Sequence, residues 1–264
     1  MNANEASIVP QPAGFMRDLF TVAGRALRAI PREPEAVIPA LLIPLFFFVV
    51  NVGALSDAGK FAGITDFKAF QLPVAIVFAV TGISRASALV TDIKSGYFDR
   101  LLISPVRRTA LLLGLMVADL ALVIALSIPV VILGALLGIK FVTGIGGILA
   151  FLIISGLWGL AFTGFPYAIA LKTGSPAAVN SSFLLFFPFS FLTTSFLPLN
   201  ALSGWLKTVA QVNPVTYLLD GLRSLIYVGW DWAILSKTML AIAIILTLSF
   251  SLAFLALKGR VSRR

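Results

Sequence analysis

The chain has 264 residues, 59% of them apolar and 12% charged, against roughly 45–50% and 25% in an average soluble protein, which excludes an ordinary soluble domain. Lys and Arg outnumber Asp and Glu by 20 to 11, a net charge of +9, yet on a chain of mean hydropathy +1.02 that excess points to a membrane surface rather than to nucleic acid. The absence of Cys and His removes disulfides, thiolate nucleophiles, imidazole bases and nearly all transition-metal sites.

Residues 1–35 carry eight charges and no apolar core long enough for a cleaved signal peptide. On a 100° wheel, residues 15–32 place Arg17, Thr21, Gly24, Arg25, Arg28 and Arg32 on one side and Phe15, Leu19, Val22, Ala26 and Ile30 opposite. This predicts an interfacial helix with its arginines toward lipid head groups, ended by Pro31 and Pro34. Anchor and docking surface for a cytoplasmic partner are equally good readings of it.

Crossing ~30 Å of hydrocarbon at 1.5 Å per residue takes ~20 apolar residues. Six stretches qualify, at about 36–55, 69–91, 109–139, 141–171, 177–199 and 232–257. The fourth exceeds one crossing and is expected to tilt or break near Pro166. The fold class is therefore all-α, a polytopic membrane protein. Residues 1–35 form a cytoplasmic N-terminus, 36–257 the six-span domain and 258–264 a basic tail. With the N-terminus inside, thirteen Lys and Arg fall in inner connections and six in outer ones, which puts both termini in the cytoplasm of a cell (inner or plasma) membrane protein.

Two charges interrupt the spans. Arg85 lies ~9 Å of helix from the inner end of the second span and Asp119 ~15 Å from the inner start of the third. Intramembrane charges are costly and usually functional. A salt bridge between them ranks first, snorkelling of Arg85 or a polar path lined by Asp119 next, and a coupling-ion site last, since a single carboxylate makes a poor proton relay.

The largest inner connection, 92–108, reads DIKSGYFDRLLISPVRR. Gly96 loosens the chain, residues 97–103 supply two helical turns with Phe98, Leu101 and Leu102 on one face, and Pro105 stops them. Asp99 and Arg100 set charge beside that stripe, a combination that fits a groove in another protein. Composition alone favours an ordinary loop. In the outer connection 200–231, Leu202, Trp205, Leu206, Val209 and Ala210 are helically spaced, Asn213 and Pro214 break the chain, and Tyr217, Leu218, Leu222 and Leu225 resume it. Two short helices dipping into the outer leaflet are expected, with Trp205, Trp230 and Trp232 near the interface and Asp220 and Arg223 close enough to pair. A structural plug is the first reading and an exit gate the second.

The usual motors are missing. There is no G-x-x-x-x-G-K-[ST] phosphate loop, no chain of acidic or His residues across the spans, no filter sequence and no catalytic constellation. What remains is a membrane subunit driven from outside, not an enzyme.

The stretch SGYFDRLLISPVRRTALLLG, 95–114, resembles the cytoplasmic loop of type-2 ABC exporter permeases of the daunorubicin-resistance kind. FLTTSFLPLNALSGWLKTVAQVNPVTYLLDGLRSLI, 191–226, resembles that family's outer re-entrant region, with Pro198, Leu199, Trp205, Leu206, Asn213, Pro214, Val215, Thr216, Asp220 and Arg223 in the motif places and Ala201 where a proline is frequent.

The resemblance implies that residues 96–106 (Gly96, Tyr97, Phe98, Asp99, Arg100, Leu101, Leu102, Ile103, Ser104, Pro105 and Val106) are a coupling helix received by a separate ABC ATPase subunit. It further implies a homodimer, or a heterodimer with a sister permease, set among membrane lipids and without nucleic acid. The substrate path would run between the protomers along the first, second and fifth spans. No cofactor is expected on this chain, ATP and Mg belonging to the partner ATPase. Export of a drug, antibiotic or lipid is the first function implied. The alternatives are export of a lipid-linked glycan and a non-transporting assembly subunit.

Overall fold

The computed structural model describes residues 14–32, 34–81, 84–103 and 106–262, in which eleven α-helices and no strand occur. Helix α1 (Phe15–Ala29) runs through a 3₁₀ turn at Ile30–Arg32 to α2 (Pro34–Phe61). Next come α3 (Phe67–Thr81), α4 (Ala86–Lys94), α5 (Tyr97–Ile103), α6 (Arg108–Leu136), α7 (Gly144–Thr173) and α8 (Pro176–Phe191). Two short helices, α9 (Gly204–Val212) and α10 (Pro214–Arg223), lead through a π-helical turn at Ser224–Val228 to α11 (Trp232–Ser262).

Among the described residues, four segments are long and apolar enough to cross a membrane: Val37–Asp57, Arg108–Leu136, Gly144–Thr173 and Trp232–Ser262. The expected second and fifth spans differ from the expectation. Instead of one helix over 69–91, α3 stops at Thr81 and α4 starts at Ala86, with a turn at Arg85 between them. Instead of reaching 199, α8 ends at Phe191. Its last carbonyls are taken by side chains rather than by further helix. Asn213 Nδ2 donates to the Phe189 and Leu192 carbonyls at 2.8 and 3.0 Å, and the Thr193 and Ser195 hydroxyls both donate to the Ser190 carbonyl. Side-chain bonds of this kind compete with helix propagation.

The break expected near Pro166 does not occur, and α7 is continuous over thirty residues. Its packing explains why. Helices α7 and α11 form the most extensive pair in the molecule. A Cβ added at Gly164 would lie 2.5 Å from the Ser249 carbonyl carbon of α11, and one at Gly159 2.7 Å from Val123 of α6. Small residues let membrane helices approach closely where no hydrophobic force drives them together, and neighbours on both sides hold the proline-bearing turn in line.

The buried side chains form two clusters. One, with Phe151 and Trp158, fills the space among α3, α6, α7 and α10. The other, with Leu89, Phe98, Met116, Tyr167 and Leu257, lies among α4, α5, α6, α7 and α11. Helix α2 is apolar all round and largely outward-facing, with Phe46 and Phe47 exposed and only Phe48 of the phenylalanine run buried. Pairwise packing therefore centres on α6, α7 and α11, with α2 attached through α3.

Candidate functional site

At the basic end of the molecule, α1, α4 and α5 are tied into one unit. The backbone of Gly96 sits at φ +73°, a conformation open to glycine at little cost, and this turn swings the chain from α4 into α5. Helix α5 covers the seven residues expected from the sequence. Phe98 is 3% exposed and Leu101 and Leu102 are half-buried, whereas Arg100 is exposed, Asp99 and Val106 are half-buried and Ile103 is 88% exposed. Ser104 and Pro105 lie outside the described residues. The apolar stripe thus packs inward and the tip of the helix projects.

Helix α1 clamps this elbow. Arg25 pairs with Asp92 at the end of α4, and its guanidinium carbon stands 4.4 Å from the centroid of the Tyr97 ring, a cation–π geometry. On the neighbouring turn the buried Asp18 accepts the Arg107 backbone N–H at 3.2 Å, just before α6. A carboxylate there satisfies one of the free amides at a helix N-terminus. Nothing in the helical periodicity of α1 marks Asp18 for this role.

Helix α1 has three faces rather than the two expected from sequence. Val22 and Leu19 lie against Gly114 of α6, so the predicted apolar side meets protein. Met16, Phe20 and Leu27 form a separate exposed apolar stripe, adjoining Arg17, Arg28 and Arg32, which are exposed.

Deeper in the bundle lies the buried carboxylate of Asp119, 1% exposed. It accepts the Arg85 backbone N–H at 3.0 Å and the Ser84 hydroxyl at 3.3 Å. Ser84 Oγ in turn accepts the Ala86 N–H at 3.1 Å. Together they cap the first turn of α4. An anionic acceptor at a helix N-terminus is favoured both by its free amides and by the helix dipole. Asp119 thus meets Arg85 at its backbone N–H, and Arg85 is itself buried, at 8% exposure. Tyr167 of α7 is fully buried within electrostatic reach of the same carboxylate. One turn on, the Ser87 hydroxyl donates to Asn180 Oδ1 of α8 at 3.2 Å. Helix α4 is thereby held at its start by α6 and α8 and at its end by α1.

Around α9 and α10 lies a second polar cluster. Arg223, 3% exposed, donates from Nε to the Phe70 carbonyl at 3.2 Å, from Nη1 to Thr194 Oγ1 at 3.1 Å and from Nη2 to the Thr194 carbonyl at 2.8 Å. Its guanidinium carbon lies 3.5 Å from the centroid of the Phe70 ring. Asp220, the partner expected from spacing, is 3.9 Å away and about half exposed. Gln71 Nε2 donates to the Ser195 carbonyl at 3.0 Å. Asn213 Oδ1 accepts the Val215 N–H and caps α10, with Pro214 at the first helical position.

Thr216 is buried in the same region and Pro198 and Pro214 are half-buried, whereas Trp205 is 70% exposed. Trp230 and Trp232 stack on each other and are exposed. Gln71 and the Thr193–Thr194–Ser195 run were not singled out from sequence. Their signal is the presence of amide and hydroxyl groups in stretches that otherwise read as lipid-soluble span.

Among the described residues no group of three or more acidic side chains stands where it could hold a metal ion.

A family model described as ABC-2 type transporter matches residues 17–227. The chain is 26% identical over 225 residues to a daunorubicin resistance ABC transporter permease protein of Streptomyces coeruleorubidus, covering 83% of this chain and 78% of that one. It is 24% identical to a probable doxorubicin resistance ABC transporter permease protein of Mycobacterium tuberculosis, covering 79% and 76%. A putative transport permease of Cyanophora paradoxa is 25% identical, covering 80% and 74%.

Proposed function

Because the chain belongs to the ABC-2 type transporter family, and is therefore a multi-pass membrane permease subunit of a transporter, we propose that it is the permease of an ATP-driven exporter. A separate ABC ATPase subunit supplies the power, with ATP and Mg bound there. The substrate is hydrophobic or amphipathic, and similarity to permeases named for daunorubicin and doxorubicin resistance favours a drug-like molecule or lipid over a lipid-linked glycan.

In this reading the basic end faces the cytoplasm, where the charge count puts it. The six crossings are completed by α3 with α4 as the second and by α8 with residues 192–199 as the fifth. Two permeases, identical or sister chains, enclose the path along the first, second and fifth crossings.

The observation that carries the reading is the α4–α5 elbow. Helix α5 projects Arg100 and Ile103 from a glycine turn, and α4 runs back from it to the Asp119 carboxylate. The exposed tip enters a groove of the ATPase. When ATP closes the ATPase dimer, α5 and the clamped α1 move together, and α4 carries that displacement to α6 and α8. Asp119 is the joint, since its acceptor oxygens hold the start of α4 without a covalent helix through residue 85. The rocking of α6, α7 and α8 against α2 opens the path outward.

The test is isolation of the protein from its native membrane in mild detergent. A P-loop ATPase should accompany it and be lost when Asp99→Ala and Arg100→Ala are combined, with membrane insertion unchanged. Loss of insertion together with binding, or no ATPase in an intact preparation, would sink the proposal.

A further inference from the structure

Between the last turns of α7 and α11, at the basic end, lies a groove of about 740 Å³, within the size range of ligand pockets. Its walls are apolar, with Phe165 and Ile169 on one side and Leu252 and Leu255 on the other, and its mouth carries Lys172 and Arg260. Leu252 and Leu255 are 41% and 65% exposed, so the groove opens sideways into the bilayer rather than into the bundle.

The two cations distinguish it from ordinary lipid-facing surface. Arg260 makes one long bond, from Nη1 to the Leu171 carbonyl at 3.4 Å, and its Nε is buried with no partner. Lys172 is exposed, and among the described residues neither cation takes part in an ion pair. A buried guanidinium N–H without an acceptor costs the desolvation of that group, and a guanidinium is shaped to receive phosphate oxygens. The C-terminal carbonyls of α7 draw cations to this end, yet offer Arg260 only that one bond.

We propose that the groove is a binding site for one anionic phospholipid of the adjoining leaflet, its phosphate between Arg260 and Lys172 and an acyl chain along Ile169 and Leu252. Basic pockets between membrane helices on the cytoplasmic side bind acidic head groups for this reason. The lipid bridges the ends of α7 and α11 and supplies the acceptor that Arg260 lacks. The inference rests on the proposed orientation, with the basic end toward the cytoplasm, and not on the direction of transport or on the ATPase.

The test uses the full chain in mild detergent with phosphatidylglycerol carrying a photoactivatable acyl chain, compared with the matching phosphatidylcholine. Labelling should map to peptides containing residues 165–173 and 252–260 with the anionic lipid and be several-fold weaker with the zwitterionic one. Combining Lys172→Gln with Arg260→Gln should reduce it tenfold or more, since even one lost hydrogen bond to a charged group is worth roughly that factor.

Ala256→Trp, which fills the groove and leaves both cations, should abolish chain labelling there in a protein with an unchanged thermal midpoint. Equal labelling by both lipids marks an unselective lipid annulus. Undiminished labelling in either folded variant shows that the groove is not the site. Each result overturns the proposal.

Discussion

The two polar clusters buried in this apolar molecule are built on opposite plans. In the one around α10, three guanidinium nitrogens of Arg223 reach Phe70 and Thr194, while Asn213 and Gln71 tie down neighbouring carbonyls. A cation there ties the chain just past α8 to α3, and the elements it joins have little freedom to separate. In the one around Asp119 a single carboxylate meets the first turn of a nine-residue helix, whose far end leads into α5. The first plan makes a brace and the second a joint. Burial alone does not distinguish them, because Arg223 and Asp119 are both almost wholly enclosed.

The strongest way to break the comparison is to remove the brace. Arg223→Ala leaves the Thr194 carbonyl and hydroxyl without their donor in a buried setting, and each buried polar group left unsatisfied costs roughly 1–3 kcal/mol. The thermal midpoint in mild detergent should fall sharply, and transport should fall only in proportion to the folded fraction. A variant that stays folded to the wild-type temperature but does not transport would make Arg223 part of the moving machinery instead.

Asp119→Asn sharpens the other side. The amide keeps an acceptor for the Arg85 N–H but loses the charge that favours a helix N-terminus, so destabilisation should be about 1–2 kcal/mol. Transport should drop by more than that loss of folded protein explains, as read in vesicles with the ATPase subunit present. If both quantities fall together, Asp119 is a second brace.

Much of this was legible in the sequence, for physical reasons that differ from place to place. Helix α5 was readable to the residue because Gly96 bounds it on one side and Pro105 follows it, and both are strong local punctuation. The short helices α9 and α10 were readable because Asn213 and Pro214 cap and start a helix by local chemistry.

The gap between α3 and α4 was not readable, because it depends on Asp119, 34 residues further along the chain from Arg85. Nor was the early end of α8, since the side chain that takes its carbonyls comes from Asn213. Pro166 misled in the opposite sense. A proline read locally breaks a helix, but here α6 and α11 hold the turn from both sides through Gly159 and Gly164. Hydropathy finds the apolar length of a crossing, and the tertiary partners decide where its helix starts and stops.

The smallest expected effect on stability concerns the clamp. Arg25 and Asp92 are 47% and 23% exposed, so Arg25→Gln should cost at most about 1 kcal/mol. If α1 moves with α5, substrate-dependent ATPase stimulation should nevertheless fall several-fold. Unaltered stimulation would reduce α1 to an anchor.

The claim on which the account turns is that the exposed tip of α5 is where the motor attaches. The chain has no cysteine, so Ile103→Cys introduces a single thiol at that tip, to which a photo-crosslinker can be fixed in native membranes. Crosslinking of this position to a P-loop ATPase, with no such product from Trp205→Cys at the other end, is the predicted result. An ATPase captured equally from both positions, or from neither in membranes that still transport, would contradict it.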